Sequence, residues 1–201
     1  MKFYSNPYSP NSRKVHGVLA QTRLEFDEQI VDLRGGEQQN PDFLRVNPNG
    51  KVPVLVDDET VLWESNSIVC YLAGKADSDL WPKSAQRYDI MRWMFWEANH
   101  WTSAIGTLIG QRIFNRDNSD PAVIEQGLED FHKWAAVLDS NLSLHKYVSG
   151  DALTVADFSV GVWLGYTEVC ELPVAEFANI DNWHNGLREM PSWEKMAPPS
   201  P

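Results

Sequence analysis

A proline that opens an apolar strand constrains this chain most. The run Lys51-Val52-Pro53-Val54-Leu55-Val56 reads as a strand, yet proline cannot donate to a sheet ladder. The conflict resolves if the bond before Pro53 is cis and the Val52 backbone is left free at an edge. A free, extended backbone can pair with a peptide. Eleven residues after Pro53 comes Glu64-Ser65, where a second short strand gives way to a helical pattern. A helix start offers unpaired N–H groups to a carboxylate, and Glu64 can hold an ammonium. A ligand with a peptide middle and an amino-acid end satisfies both sites.

The rest of the first 75 residues supplies a frame for that edge. Lys2 to Ser5 and Phe26 to Val31 read as strands, with a helix between them whose apolar residues are Val15, Val18 and Leu19. Ser12 is a natural cap for that helix. Residues 33–40 are a glycine- and glutamine-rich loop, and Pro41 to Val46 fits one short helical turn. Val52 to Val56 and Val61 to Trp63 form a hairpin across the acidic turn Asp57 to Thr60. Ser65 to Lys75 is a helix with Ile68, Val69, Tyr71 and Leu72 as its apolar side. The order β-α-β then β-β-α is the thioredoxin-like arrangement.

A linker follows, and everything after it reads as helix and loop. Residues 1–76 are expected to form the thioredoxin-like α/β domain, 77–83 the linker and 84–201 an all-α helical bundle. Ala85 to Gly110 has continuous helical spacing. Pro121 to Leu142 is a long helix with Asp120 as its cap and Pro121 at its first position. Thr154 and Asp157 stand in capping-box relation at the next helix start, with Leu153 and Phe158 placed for a hydrophobic staple. The tail Ala197 to Pro201 is expected to be unstructured.

Charge narrows the partners. The formal charge is −11, with eight basic against twelve acidic residues in 1–80 and nine against sixteen in 81–201. That surface argues against nucleic acid and against anionic membranes. No apolar run approaches the ~18 residues of a membrane span. The first residues lack the apolar core of a signal peptide. Cys70 and Cys170 have no metal or redox spacing, and no metal is expected. Two reduced, buried cysteines fit a cytoplasmic protein.

The Val52-Pro53 edge, the Glu64-Ser65 pair and the run Ser9-Pro10-Asn11-Ser12-Arg13 together resemble the glutathione S-transferase superfamily, over essentially the whole chain. The resemblance implies glutathione as co-substrate. It places Val52 and cis Pro53 on the cysteinyl part, Glu64 and Ser65 on the γ-glutamyl end, and Lys51 with Gln38 or Gln39 at the glycyl end. In the serine-type theta and phi classes a serine stands just before the first helix, four residues ahead of an arginine, and Ser9 matches it. In a bacterial class with threonine, proline and asparagine in order, Asn11 matches the asparagine, which also approaches the sulfur. Tyr4 is a third hydroxyl candidate. No cysteine occupies this loop, so a covalent cysteine mechanism lacks its nucleophile.

The helix at 85–110 borders the electrophile pocket in the family. Trp96, His100 and Trp101 are therefore expected to line it, with Tyr8 at its rim. Core or dimer packing is the competing role for the tryptophans, as a structural role is for His100. The resemblance further implies a homodimer built on the helices at 65–75 and 85–110, and detoxifying attack of a glutathione thiolate on a hydrophobic electrophile. Two alternatives stand beside conjugation: a glutathione-dependent disulfide reductase, and a binding or scaffold protein without catalysis.

Overall fold

The computed structural model describes residues 1–198. The chain divides into two compact units: Met1–Trp81 together with the segment from Pro191, and Pro82–Met190.

The first unit is built on a four-stranded mixed sheet in the order β2-β1-β3-β4. Its strands are β1 (Lys2–Ser5), β2 (Asp27–Ile30), β3 (Val54–Asp57) and β4 (Thr60–Trp63). β1 runs parallel to β2 and antiparallel to β3, and β3 pairs antiparallel with β4. The two-residue period of the strands sorts side chains by face. Phe3 pairs with Leu55 in register, and both are fully buried. Their neighbours Tyr4 and Val54 pair on the opposite side and join Val31 and Phe43 in a second cluster. Helix α1 (Pro10–Thr22) packs against α3 (Ser65–Lys75), and α2 (Pro41–Val46) supplies Phe43 to the second cluster. Val15, Val18 and Leu19 of α1, with Ile68, Val69 and Leu72 of α3, are essentially inaccessible. Burial of each such side chain is worth about 1.5–3 kcal/mol. The arrangement is the thioredoxin-like fold the strand and helix order implies.

Three local expectations change. The first helix starts at Pro10 with Ser9, not Ser12, as its cap. Proline has no N–H to leave unpaired, so the residue before it takes the cap position. β3 begins at Val54, which leaves Val52 and Pro53 outside the ladder. The end of the chain is not part of the helical bundle. After Met190, helix α9 (Pro191–Glu194) packs on α1, with Trp193 and Met196 buried. Of the tail expected to be unstructured, Ala197 and Pro198 lie beyond α9, and residues 199–201 lie outside the described residues.

The second unit is predominantly helical: α4 (Gln86–Trp96), α5 (Thr102–Ile109), α6 (Pro121–Leu142), α7 (Val155–Gly161) and α8 (Ala178–Arg188). Asp120 caps α6 by accepting from the Ala122 N–H at 2.9 Å, and Pro121 holds the first position. The helix expected over 85–110 is interrupted by a π-helical turn at Glu97–Trp101. The wider turn brings residues five apart towards one side, and Trp96 stacks on Trp101 with centroids 5.6 Å apart. Glu97, 1% exposed, anchors the turn by accepting from Thr102 Oγ1 at 2.7 Å and from the Trp163 indole at 2.6 Å. At α7 the capping box is complete, and the buried Asp157 also accepts from Val148 N and Trp183 Nε1. No helix of the described residues is long and apolar enough to cross a membrane.

Candidate active site

The site is assembled where the starts of α1 and α3 meet. Asn6 organises the approach to α1. Its Nδ2 donates to the Val31 carbonyl at 2.9 Å, its Oδ1 accepts from Tyr8 N at 2.9 Å, and its carbonyl accepts from Ser9 N at 3.0 Å. Asn6 is 8% exposed and was not singled out by the sequence reading. The signal for it was an asparagine just past a strand, two residues before the amide it accepts from, the geometry of an Asx-turn.

Ser9 sits at the cap with φ −82° and ψ 118°, and its Oγ accepts from Ser12 N at 3.3 Å. Its carbonyl takes the first helical bonds, from Ser12 N at 3.1 Å and Arg13 N at 3.0 Å. An oxygen that accepts a hydrogen bond becomes a better donor through its own O–H. The Ser9 hydroxyl is therefore a polarised donor at the positive end of a 13-residue helix.

Asn11 and Ser65, 54 positions apart in sequence, meet directly: the Ser65 hydroxyl donates to Asn11 Oδ1 at 2.9 Å. A second tie runs beside it, from Lys14 Nζ to Asn66 Oδ1 at 3.0 Å. α3 starts on Glu64, whose backbone takes φ 70° and ψ 107° and whose side chain makes no cap bond. A non-glycine residue at such angles is strained, and strain of this kind concentrates at binding sites. The first intrahelical bond to Glu64 comes from Ile68 N, at 3.0 Å, so the amides of Ser65, Asn66 and Ser67 precede the helical ladder. They face the end of the helix and suit an anion.

The Val52-Pro53 bond is cis. In the β3–β4 register Val54 pairs with Trp63, the last residue of β4. Val52 thus leaves the ladder at the same end of the sheet as Glu64-Ser65. Upstream, Asn47 Nδ2 donates to the Lys51 carbonyl at 2.6 Å, and Lys51 is exposed. Gly50 has φ +60°, which favours glycine, and a Cβ there would lie 2.6 Å from Gln39 Nε2, so a side chain would displace Gln39. Gln39 is exposed and lies against Gly50, the residue before Lys51. Gln38 points the other way, donating to the Leu33 carbonyl at 3.2 Å within its own loop. Tyr4 packs edge-on against Phe43 at 5.8 Å, a core contact.

The expected pocket residues divide. Tyr8 belongs to the first unit and is 61% exposed. Trp96, His100 and Trp101 belong to the second. His100 stacks on Trp134 with centroids 4.1 Å apart. Trp101 is core and not a pocket wall: it is fully buried, stacked on Phe131, and its indole donates to the Val160 carbonyl at 3.1 Å. The π-helical turn carries it inward, a rotation that 3.6-residue spacing does not reveal. Among the described residues no group of three or more His, Cys, Asp or Glu is placed to hold a metal ion.

Comparison with known proteins identifies the family. The model of the family described as "Glutathione S-transferase, N-terminal domain" matches residues 1–74. Glutathione S-transferase 3 of Zea mays is 32% identical, over 100% of this chain and 97% of its own length. Disulfide-bond oxidoreductase YfcG of Escherichia coli is 28% identical, over 92% of this chain and 88% of its own. Among solved structures, glutathione transferase URE2P6 from Phanerochaete chrysosporium, in complex with oxidized glutathione, superposes with a TM-score of 0.88 at 29% identity, covering 97% of this chain and 93% of its own. Sequence, sheet topology and helical second unit agree, and the chain belongs to the glutathione S-transferase superfamily.

Proposed function

We propose that the protein is a glutathione transferase that activates the glutathione thiol for attack on a hydrophobic electrophile. The observation that carries this reading is the convergence of two helix starts, fastened by the Ser65–Asn11 bond, at the end of the sheet where the cis Val52-Pro53 segment leaves the ladder. The Ser9 hydroxyl and the N-terminus of α1 stabilise the sulfur anion, with Asn11 as helper. The unbonded Val52 backbone pairs with the cysteinyl residue. The first amides of α3 hold the γ-glutamyl carboxylate, joined by the Ser65 hydroxyl when its one O–H turns from Asn11 Oδ1 to the ligand, and Glu64 holds the ammonium. Lys51 and Gln39 take the glycyl carboxylate, with Gln38 supporting their loop. Tyr8, Trp96 and His100 remain the candidates for electrophile contact. No step requires a metal.

Calorimetric titration with glutathione tests the binding half. Saturable binding is expected, and Glu64→Gln and Ser65→Ala should each weaken it by about tenfold or more, the worth of a hydrogen bond to a charged group. A native protein that does not bind glutathione would sink the proposal.

Disulfide reduction is the second reading, favoured by Asn11 at the site and by the similarity to YfcG. Turnover of a glutathione mixed disulfide without turnover of an aryl halide would select it. Binding without thiol activation would select a non-catalytic ligand carrier. Both cysteines are unbridged, in keeping with a reducing compartment such as the cytoplasm.

We also assign a homodimer. On α4, Tyr88 (76% exposed), Met91 and Phe95 (65% exposed) form an outward apolar stripe at helical spacing. A second copy is the partner that the superfamily implies for this helix. Light scattering should give about twice the 22.9 kDa chain mass. Phe95→Glu should shift it to the monomer, and a native monomer at micromolar concentration would refute the assignment.

A further inference from the structure

Arg13 is a charged side chain buried to 1% exposure in the first turns of α1. A guanidinium removed from water is costly unless it is hydrogen-bonded. Its Nη1 donates to the carbonyl of Met196 at 2.9 Å, 183 positions along the chain. That carbonyl is itself held. α9 packs on α1, Ser192, Trp193 and Met196 are all buried, and Met196 N donates to the Trp193 carbonyl at 2.9 Å. At its other end Arg13 reaches the candidate active site through its backbone, because Arg13 N donates to the Ser9 carbonyl at 3.0 Å. One residue therefore connects the end of the chain to the cap of α1.

We propose that the segment Pro191–Pro198 is a strap that fixes the first turn of α1 through Arg13, and so sets how well Ser9 stabilises the glutathione thiolate. Two physical effects act together. The Met196 carbonyl orients the side chain whose backbone N–H closes on Ser9. The strap also keeps water from the guanidinium, so its positive charge is less screened from an anion at the start of the same helix. Arg13 is a positioning residue, since its guanidinium is bonded to Met196 and acts on the sulfur only through Ser9 and the local field. The proposal rests on Ser9 as the thiolate-stabilising group.

The test compares native protein, Ser9→Ala, Arg13→Lys, Arg13→Met and Trp193→Ala as full-length chains. Each is titrated with bound glutathione, following thiolate absorbance against pH, and each is checked by thermal unfolding. Arg13→Met and Trp193→Ala should raise the pKa of the bound thiol by about one unit, the scale of a nearby opposite charge. Arg13→Lys, which keeps the charge, should fall between them and the native protein. Trp193→Ala decides the matter if Arg13→Met does not fold. Variants that fold, bind glutathione and keep the native thiol pKa would overturn the strap while leaving Ser9 in place. A native protein with no depressed thiol pKa, or one that Ser9→Ala leaves unchanged, would remove the Ser9 reading and the strap with it.

Discussion

Replacing Ser9 by alanine should return the bound glutathione thiol from about two units below its free value to near ~8.5, and lower turnover at pH 7 by about ten- to a hundredfold. A two-unit depression needs about 2.7 kcal/mol in favour of the anion, the scale of a charge-assisted hydrogen bond joined to a helix start. The loss should be pH-dependent. Above about pH 9 the thiol ionises unaided, and the native and mutant rates should converge. Ser9 is also the cap of α1, so the substitution should cost about 1 kcal/mol of stability as well. Ser9→Gly removes the hydroxyl at a cap cost of only a few tenths of a kcal/mol and should separate the two effects. A constant rate deficit at every pH, with the thiol pKa unmoved, would show that Ser9 only shapes the loop.

Much of this site was legible because it rests on backbone exceptions. Pro53 at the mouth of an apolar strand pointed to a cis bond and an unpaired Val52, and both are found, although β3 lies inside the sheet between β1 and β4 and not at its edge. Tyr4, a hydroxyl candidate by sequence, instead packs on Phe43 while its neighbour Phe3 meets His16 of α1. Asp120 and Pro121 marked the start of α6, and Thr154 with Asp157 that of α7. What sequence periodicity missed depends on partners remote in the chain. Ser9 and Ser12 both precede the apolar run of α1, and only the bonds Ser9 accepts, from Ser12 N and Arg13 N, show which one caps it. The π-helical turn at Glu97 is stabilised by Trp163, 66 positions away, so a uniform 3.6-residue period misplaces Trp101. The return of the chain end onto α1 depends on a bond between Arg13 and a backbone carbonyl, which carries no sequence signature.

The largest effect on folding is expected at Asp157. Its buried carboxylate accepts from Thr154 N at 2.8 Å, Val148 N at 2.9 Å, Trp183 Nε1 at 3.1 Å and Thr154 Oγ1 at 3.2 Å. Asp157→Ala leaves these donors in an apolar core, where each unsatisfied group costs about 1–3 kcal/mol. The loss approaches the whole stability of a typical domain, so the variant should accumulate little folded protein at 37 °C. Soluble variant with native near-ultraviolet dichroism would refute this.

Burial pushes the Asp157 carboxyl up to about 6, against the pull of its hydrogen bonds, and burial pushes the His184 imidazole down to about 4. The two act on stability with opposite signs. The native state holds the Asp157 proton at a pH where the unfolded chain has released it, so this group adds stability as pH falls from about 6 to about 4. His184 takes its proton first in the unfolded chain, so it removes stability as pH falls from about 6.5 to about 4. Each contribution is about 3 kcal/mol over its range, and the ranges overlap. These two groups should therefore nearly cancel between pH 4 and 6 in the native protein. His184→Gln removes one arm of the balance. Relative to native, that variant should gain about 2 kcal/mol between pH 6 and pH 4 in denaturant titrations monitored by tryptophan fluorescence. Parallel pH profiles for the two proteins would mean that the His184 ring is already charged in the folded core.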